Sequence, residues 1–314
     1  MTDPTTARVA VIGSMNVDYV TRVEDLPMPG ETVAAQDFEV FRGGKGANQA
    51  IAARRQGCEV TLFGTLGADE AGDAYRKALQ GEGIDVGQIR NAPAPTGSAF
   101  ITVDETGENT IVIARGANDR LRQQDIERGE KEIAACGALL GQFEVPVPSL
   151  LEAAKIAERH KVPTIINPSP FDAMFPWGGL PIDYVIANEH EAAELLEFPA
   201  SREDASSVRQ RLTEFRIGHL IVTRGGDDTI VFPHHADPFL VDTLTVLPID
   251  TVGAGDAFAG CFAAWIAAGE PIEEAVRAAN CAGALTTLGG GAQRPIPDRE
   301  SVCQHLAQIP EVSR

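Results

Sequence analysis

One carboxylate in this chain stands directly after a glycine-rich turn and directly before a predicted helix. Asp256 follows Gly253-Ala254-Gly255, and apolar side chains recur at helical spacing from Phe258 to Trp265, before the stop signal Gly269. We therefore expect Asp256 in the first helical turn, with the backbone N–H groups from Gly253 to Asp256 free to attract anionic oxygens. A carboxylate beside such an anion hole can act as a base, which suits phosphoryl transfer. The alternative is that Asp256 only caps its helix.

A second glycine-rich segment, Gly43-Gly44-Lys45-Gly46-Ala47-Asn48, opens another predicted helix. It is not a nucleotide-binding P-loop, because Gly46 stands where Ser or Thr would follow Lys45 and Glu39 stands where the earlier glycine belongs. The glycines instead allow the backbone to approach a polar ligand. Lys45 and Asn48 can add hydrogen bonds from the same helix start, and a sugar fits that chemistry.

Asn16 and Asp18 follow the first predicted strand with one residue between them. In an extended chain their side chains project from one face. An Asp accepts from two hydroxyls and an Asn both donates and accepts, so the pair could bind a vicinal diol. The alternative is that both residues only form a turn, as Asn and Asp often do after a strand.

Two further segments could contact a nucleotide. Asn188 and Glu191 lie at the junction of a predicted strand and helix, where Asn188 could reach a phosphate and Glu191 could orient Mg²⁺ through water. The alternative for this pair is helix capping. After another strand, Thr223-Arg224-Gly225-Gly226 could hold adenine or phosphates by backbone contacts.

The elements that must position these residues alternate between strand and helix. Predicted strands cover 8–13, 59–63, 164–167, 184–188 and 219–223, and predicted helices cover 46–56 and 70–80 and also follow Ser149 and Ser201. The continuous apolar run of the first strand is typical of a parallel sheet buried on both faces. We therefore predict an α/β fold with a doubly wound sheet in a single domain, 1–314.

Two stretches interrupt the alternation, Asp18–Phe41 and Gly97–Ala114, and each has the pattern of a hairpin. Without a helix to cover them they would form a small separate sheet. We expect this sheet, from about 16–42 and 97–115, to be a lid over the carboxyl ends of the main strands, where α/β proteins bind ligands. The alternative is a surface hairpin pair with no gating role.

Composition excludes several partners. The 314 residues carry a net charge of −19, which argues against nucleic acid and against an anionic membrane. No apolar run reaches the roughly 20 residues of a membrane span, and the polar start 1–4 does not resemble a secretory signal, so we expect a cytoplasmic protein. The five cysteines are scattered without paired spacing, which favours reduced thiols over disulfides or a zinc site.

Six segments, taken in order, carry a family resemblance over nearly the whole chain. They are Gly13-Ser14-Met15-Asn16-Val17-Asp18, Pro29-Gly30-Glu31-Thr32, Gly43-Gly44-Lys45-Gly46-Ala47-Asn48-Gln49-Ala50, Gln142-Phe143-Glu144, Asn188-x-x-Glu191 and Asp250-Thr251-x-Gly253-Ala254-Gly255-Asp256. With these segments the chain resembles the ribokinase family of carbohydrate kinases. The resemblance implies a three-layer α/β/α fold with a central, mostly parallel sheet and a small β-sheet lid that serves as a dimer clasp.

The same resemblance implies transfer of the ATP γ-phosphate to the 5-hydroxyl of D-ribose. Asp256 would be the catalytic base, and Gly253, Ala254 and Gly255 would form the anion hole. The implied sugar ligands are Asn16, Asp18, Gly44, Lys45, Asn48, Glu144 and Asp256. The implied nucleotide contacts are Asn188, Thr223, Arg224, Gly225, Gly226, Ala254, Gly255 and Asn280, with Glu191 holding Mg²⁺ through water.

Similarity to the family also implies a potassium site beside the anion hole. Its ligands would be Asp250, the carbonyl of Val252 and backbone oxygens near Thr286, Gly289 and Gly291. The chain departs from the commonest family pattern at four positions. These are Gly289 for a basic residue, Pro295 for Ser, Asp228 for a Gly of the nucleotide loop and Asn280 for a His near adenine.

Two alternative functions remain open at this point. One is another kinase of the family, acting on deoxyribose, fructose or a nucleoside; a nucleoside would require an apolar or aromatic slot in a chain that is only 6% aromatic. The other is a catalytically silent sugar-binding or regulatory protein. The retained Asp256 and its flanking glycines argue against the silent protein.

Overall fold

The computed structural model describes residues 7–310, which contain two β-sheets and a set of covering helices. The main sheet has the strand order β13-β12-β11-β10-β9-β8-β1-β4-β5. Its strands are β1 (Arg8–Ile12), β4 (Glu59–Gly67), β5 (Ile89–Ala92), β8 (Ala138–Gln142), β9 (Thr164–Asn167), β10 (Ile182–Asn188), β11 (Ile217–Arg224), β12 (Asp227–Pro233) and β13 (Phe239–Val241). The strands from β11 to β5 in this order pair in parallel, and β12 and β13 are antiparallel at one edge.

Helices cover both faces of this sheet. One face packs against α1 (Lys45–Arg55), α2 (Glu70–Gly81), α8 (Ala254–Ala267), α9 (Ile272–Thr286) and α10 (Arg299–Leu306). The other packs against α3 (Gln123–Glu127), α4 (Glu130–Ala134), α5 (Val147–His160), α6 (Glu189–Leu196) and α7 (Ala205–Phe215). Residues 9–12 of β1 are fully buried between the layers, as the apolar run predicts. The predicted three-layer α/β/α fold is confirmed.

The small sheet has the order β3-β2-β6-β7 and is built from the two predicted hairpins. Its strands are β2 (Asn16–Arg22), β3 (Asp37–Gly43), β6 (Gly97–Val103) and β7 (Asn109–Ala114). Asn16 pairs with Gly43 of β3 and with Gly97 of β6, so the sheet starts beside the carboxyl end of β1. The separate small sheet therefore exists where the sequence predicts it.

Some predicted boundaries differ from the structure. Helix α5 begins at Val147, before Ser149, because Pro146 is its N-cap residue and the second proline fits the first turn. Residues 116–134, for which no element was predicted, form a 3₁₀ helix (Gly116–Arg120) and the short helices α3 and α4. Helices of five residues show too little periodicity to be recognised from sequence.

Two expectations from composition concern cysteines and membranes. All five cysteines are free thiols, and Cys58, Cys261 and Cys281 are buried in the core. Burial raises the pKa of the Cys58 thiol to about 11, so this thiol stays protonated. Within residues 7–310, none of the helices has both the length and the hydropathy needed to cross a bilayer.

Candidate active site

Asp256 lies in the first turn of α8, as the sequence predicts. Gly253 is the N-cap residue, with a φ of 81° that favours glycine. The carboxylate is 7% exposed and accepts two hydrogen bonds from consecutive residues of α1. Asn48 Nδ2 donates to Oδ2 at 2.8 Å, and Gln49 Nε2 donates to Oδ1 at 2.9 Å. The side chain therefore points across to α1 and does not cap its own helix.

Gln49 is in turn held by the ends of two strands. Its Nε2 also donates to Asn167 Oδ1 at 3.1 Å, and its Oε1 accepts from Gln142 Nε2 at 2.6 Å. Asn167 ends β9 and Gln142 ends β8, so the carboxyl edge of the sheet fixes the amide that contacts Asp256. Gln49 itself is fully buried. Sequence reasoning assigned no role to Gln49, Gln142 or Asn167.

The backbone before Asp256 offers hydrogen-bond donors. In the part of the chain that the structure describes, the N–H groups of Gly255 and Asp256 have no acceptor. Ala254 differs from the prediction, because its N–H donates to the Thr251 carbonyl at 3.3 Å. A Cβ at Gly255 would meet no atom within 4 Å, so this end of α8 borders open space. Free donors at a helix N-terminus favour an anionic oxygen there.

Asn16 and Asp18 both lie on β2. Asn16 is 5% exposed, and its Oδ1 accepts from Asn118 Nδ2 at 2.8 Å. Asn118 belongs to the 3₁₀ helix after β7, and its Oδ1 accepts from the Met15 N–H at 2.9 Å. No sequence pattern singles out Asn118, because it lies more than a hundred residues beyond its partner Asn16.

Asp18 lies close to two other carboxylates. Burial and the negative charges of Glu144 and Asp256 raise the pKa of Asp18 to about 7. The three acidic side chains therefore lie close enough for their charges to interact. The structure brings together predicted sugar ligands that come from three separate parts of the sequence.

Lys45 supplies a positive charge beside these carboxylates. Burial alone lowers the pKa of Lys45, but the carboxylates of Asp256, Glu144 and Glu191 outweigh it, so the pKa is raised and the ammonium stays charged. Glu144 accepts from the Lys45 backbone N–H at 3.2 Å and from the hydroxyl of Ser14. Glu144 therefore caps the start of α1 while it faces the cation.

Gly44, the N-cap residue of α1, has a φ of 88°. A Cβ there would lie 2.7 Å from the backbone nitrogen of Asn16, so only glycine allows the two backbone segments to approach this closely. The start of α1 therefore lies directly against the start of β2. Asn16, Lys45 and Asn48 therefore share one side of the site.

Asn188 and Glu191 form a reciprocal capping box at the start of α6. Asn188 Oδ1 accepts from the Glu191 N–H at 2.8 Å, and Glu191 Oε2 accepts from the Asn188 N–H at 3.0 Å. The capping alternative is therefore realised in this structure. The charge of Glu191 nevertheless acts on Lys45 and helps to raise the pKa of that ammonium group.

The other predicted nucleotide residues lie in and beside the β11–β12 hairpin. Arg224 Nε donates to the Asp228 carbonyl at 2.7 Å across the turn that holds Gly225 and Gly226. Thr223 Oγ1 donates to the Ala187 carbonyl at 3.4 Å.

The Asn280 amide is engaged on both sides. Its Oδ1 accepts from Thr229 Oγ1 at 2.7 Å, and its Nδ2 donates to the carbonyls of Val241, at the end of β13, and of Asp242, the next residue. In this structure Asn280 joins α9 to the edge of the sheet.

Asp250 ties together the loop before α8 and the loop after α9. Its Oδ1 accepts from the Val252 N–H at 3.0 Å, and its Oδ2 accepts from the Gly291 N–H at 2.9 Å. At Gly289 a Cβ would lie 2.9 Å from Pro295 Cβ. Gly289 and Pro295, the two positions in this loop that differ from the family pattern, are therefore in contact. The Thr286 hydroxyl donates to the Ala282 carbonyl inside α9.

The same loop also reaches the sugar side of the site. Gln293 Nε2 donates to Asn48 Oδ1 at 2.9 Å and to the Tyr75 hydroxyl at 2.8 Å. Tyr75 in turn donates to the Gly43 carbonyl at 2.6 Å. Asn48 is thereby held from both sides, by Gln293 and by Asp256.

Comparison with known proteins decides the family. The model of the pfkB family carbohydrate kinases matches residues 6–299. The chain belongs to this family. Across residues 7–310, no cluster of three or more His, Cys, Asp or Glu could hold a metal by itself. In a pfkB-family kinase such a cluster is not required, since Mg²⁺ is commonly held by one or two carboxylates, waters and the nucleotide phosphates.

Similar pfkB-family proteins include enzymes for two pentoses. The chain is 34% identical over 301 residues to the ribokinase of Haemophilus influenzae, covering 95% of this chain and 98% of that protein. It is 30% identical over 305 residues to a deoxyribokinase of Salmonella typhi, covering 95% and 98%. A bifunctional ribokinase/ribose-5-phosphate isomerase A of Fructilactobacillus sanfranciscensis is 35% identical over 306 residues; the match spans 96% of this chain but 56% of that longer protein.

The fold agrees with solved structures of the family. The structure of Arabidopsis thaliana ribokinase complexed with ribose and ATP superposes with a TM-score of 0.86 at 29% identity. The match covers 96% of this chain and 98% of the other. The family resemblance inferred from the sequence motifs is confirmed.

Proposed function

We propose that this protein transfers the γ-phosphate of ATP to the 5-hydroxyl of D-ribose, giving ribose 5-phosphate and ADP. The observation that carries the proposal is the setting of Asp256. Its carboxylate is fixed by Asn48 and Gln49 and lies beside the free N–H groups of Gly255 and Asp256 at the start of α8. A base and an anion hole so close together suit an in-line attack of an alcohol on a phosphoryl group.

The polar groups around Asp256 suit a polyol. Asn16 and Asp18 on β2 and Asn48 on α1 would bind sugar hydroxyls, with Gly44, Lys45 and Glu144 beside them. Such a set of carboxylates and amides accepts and donates in fixed directions, which a hydrophobic ligand would leave unsatisfied. Sugar binding would also replace the contacts that Asp256 now makes with Asn48.

Positioning accounts for most of the catalysis in this proposal. Phosphoryl transfer passes through a loose transition state, so Asp256 orients the 5-hydroxyl and accepts its proton late. Lys45 balances the carboxylates that surround the acceptor. The free N–H groups of Gly255 and Asp256, presented by the turn that Gly253 and Ala254 form, would stabilise charge on the transferred group.

ATP would bind along the carboxyl edge of the sheet beyond Asp256. Asn188, Thr223 to Gly226 and Asn280 border that edge, and the relative solved with ribose and ATP supports the choice of nucleotide. Mg²⁺, oriented by Glu191 through water, would neutralise charge on the phosphates. The carboxylate chemistry of Glu191 fits this ion.

The segment around Asp250 fits a potassium ion. Carboxylate and backbone carbonyl oxygens are the ligands that hard cations prefer, and Asp250 already ties Val252 to Gly291. We expect K⁺ to raise turnover by ordering this loop, which reaches Asn48 through Gln293. Turnover that is equal in KCl and NaCl at matched ionic strength would contradict a potassium role.

We further propose a cytoplasmic homodimer joined through the small sheet. Tyr19 stacks on Phe38 and Phe100, with ring centroids 6.3 and 5.4 Å apart. Val40 and Val112 continue the same face and are 54% and 66% exposed. This face points away from Asp18, because neighbouring residues of a strand alternate. An apolar surface of this kind is typical of an interface, here with a second copy.

A coupled assay of ADP release with a panel of acceptors tests the function. We expect D-ribose to give the highest kcat/KM among ribose, deoxyribose, fructose and adenosine. Deoxyribose is the strongest competitor because a deoxyribokinase is 30% identical over 305 residues. Turnover of deoxyribose without turnover of ribose would overturn the ribose assignment and leave the kinase intact. Absence of turnover with every acceptor would favour a silent sugar-binding protein.

A further inference from the structure

An open cavity of about 520 Å³ lies beside β5, between Thr65 of β4 and the segment 120–128 that contains α3. It shares no lining residue with the candidate active site. Its wall contains four arginines, Arg90, Arg120, Arg122 and Arg128, together with Asp125. Four guanidinium groups thus face one carboxylate in a chain whose net charge is −19.

The acidic residue does not neutralise this cluster. Asp125 Oδ1 accepts from Arg128 Nη1 at 3.0 Å and lies 3.9 Å from Arg90 Nε. Within residues 7–310, the side chains of Arg120 and Arg122 have no acidic partner. Two guanidinium groups therefore remain available to an anion from outside the chain.

Two buried polar atoms at the cavity also lack partners. Thr65 is 2% exposed, and neither its Oγ1 nor Arg90 Nε has a hydrogen-bond partner among the described residues. Leaving a buried donor unsatisfied is costly, so such atoms usually have a partner in the working protein. Both atoms have almost no accessible surface, so an anion in the cavity would reach them only after the surrounding side chains move.

We propose that this cavity binds a small, multiply charged anion that carries a phosphate group. The planar guanidinium group donates in a fork that matches phosphate oxygens, and several arginines together select for more than one negative charge. The cavity is open enough for a small metabolite to enter. Arg120 and Arg122, which have no acidic partner among the described residues, would supply the positive charge that binds it.

The position of the cavity connects it to sugar binding. Residues 90–93 line it and lead into β6, and Arg120 and Arg122 line it where the chain leaves β7. The 3₁₀ helix that ends at Arg120 also carries Asn118, which holds Asn16. An anion that draws Arg120 and Arg90 together would hold this 3₁₀ helix in place and so strengthen sugar binding. The effect on sugar binding rests on the proposed function, whereas the anion site itself does not depend on it.

Isothermal titration with inorganic pyrophosphate in magnesium-free buffer tests the site. We expect the double variant Arg120→Gln/Arg122→Gln to bind at least about tenfold more weakly than the unmodified protein, since it loses charged hydrogen bonds. Arg202→Gln removes an exposed arginine that lines a different cavity and should bind as the unmodified protein does. Equal melting temperatures would show that the double variant is folded. Equal pyrophosphate affinity in the double variant, or no saturable binding to the unmodified protein, would overturn the site.

Titration of ribose with and without pyrophosphate tests the connection. We expect pyrophosphate to tighten ribose binding in the unmodified protein and not in the double variant. Unchanged ribose affinity in a protein that binds pyrophosphate through the arginines would overturn the connection. Absence of ribose binding under both conditions would contradict the proposed function, while the pyrophosphate titration still decides the anion site.

Discussion

Asp256 is held in place by two amide side chains from consecutive residues of α1. The sequence predicts Asn48 as a polar ligand but not the contact of Gln49 with the carboxylate. Gln49 lies 207 residues before Asp256 and 93 residues before Gln142. Local pattern cannot pair residues across such separations. Its place directly after Asn48, in a segment already singled out, was the one available signal.

Gln49→Met should slow turnover while leaving sugar binding nearly unchanged. Methionine has a similar length but cannot donate a hydrogen bond, so Asp256 loses one of the two hydrogen bonds that orient it. We expect kcat to fall about tenfold with little change in the KM for ribose, because a poorly oriented carboxylate positions the 5-hydroxyl less well. Gln304→Met, a change on α10 away from the site, is the control. A lower melting temperature with an unchanged kcat would show that Gln49 is only structural.

Asp18 should make the native protein less stable as the pH rises. Burial and the neighbouring charges raise its pKa from 3.8 to about 7, so the folded state holds a proton that the unfolded chain releases. The contribution of Asp18 to the stability of the folded state is complete below pH 3.8 and is lost as the pH rises towards 7. Asp18→Asn should therefore gain melting temperature over the unmodified protein across that interval and keep a constant advantage above it. A difference that is constant from acid to neutral pH would contradict the raised pKa.

Helices α1 and α8 pack closely enough to bring the two halves of the site together. Glycine at position 260 permits this, since a Cβ there would lie 2.5 Å from the Ala52 Cβ and still closer to the Gln49 carbonyl. The sequence predicts both helices from their periodicity and caps. It does not predict that their faces meet, because the order of strands in the sheet sets which helices are neighbours.

Gly260→Ala should destabilise the protein and impair the site with it. The added methyl group forces α1 and α8 apart, and such overpacking costs about 1–3 kcal/mol of unfolding free energy. Chemical denaturation followed by circular dichroism measures this. Gly81→Ala is the matched control, because a Cβ at that position in α2 meets no atom within 4 Å. The unfolding free energy of this variant should be unchanged or up to about 1 kcal/mol higher than that of the unmodified protein. Equal stability of the two variants would contradict the close packing.

At the scale of the whole molecule, the motifs and alternating elements predict the fold class and the family. Buried parallel strands have a strong apolar signature, and residues 9–12 show it. The arginine cavity was not predictable, because its residues come from separate segments between 65 and 128 that only folding brings together. The overall charge of −19 conceals this local positive region.

The small sheet should control the oligomeric state. Phe100→Lys places a charge at the centre of the apolar face, where a second copy would bury it without a partner. We expect a monomer by light scattering where the unmodified protein is a dimer. Met174→Lys, at a residue that is 86% exposed and lies outside the small sheet, should leave the dimer intact. A Phe100→Lys protein that remains dimeric would place the interface elsewhere.

The role of Asp256 is the central claim, and Asp256→Asn tests it most directly. Ribose binding by calorimetry and turnover by ADP release are measured on the same preparation, with Asp73→Asn, an exposed change on α2, as control. We predict that ribose binding is retained and that turnover falls by roughly 100-fold or more, the loss expected when a positioned base is removed. Unchanged turnover in Asp256→Asn would contradict the account.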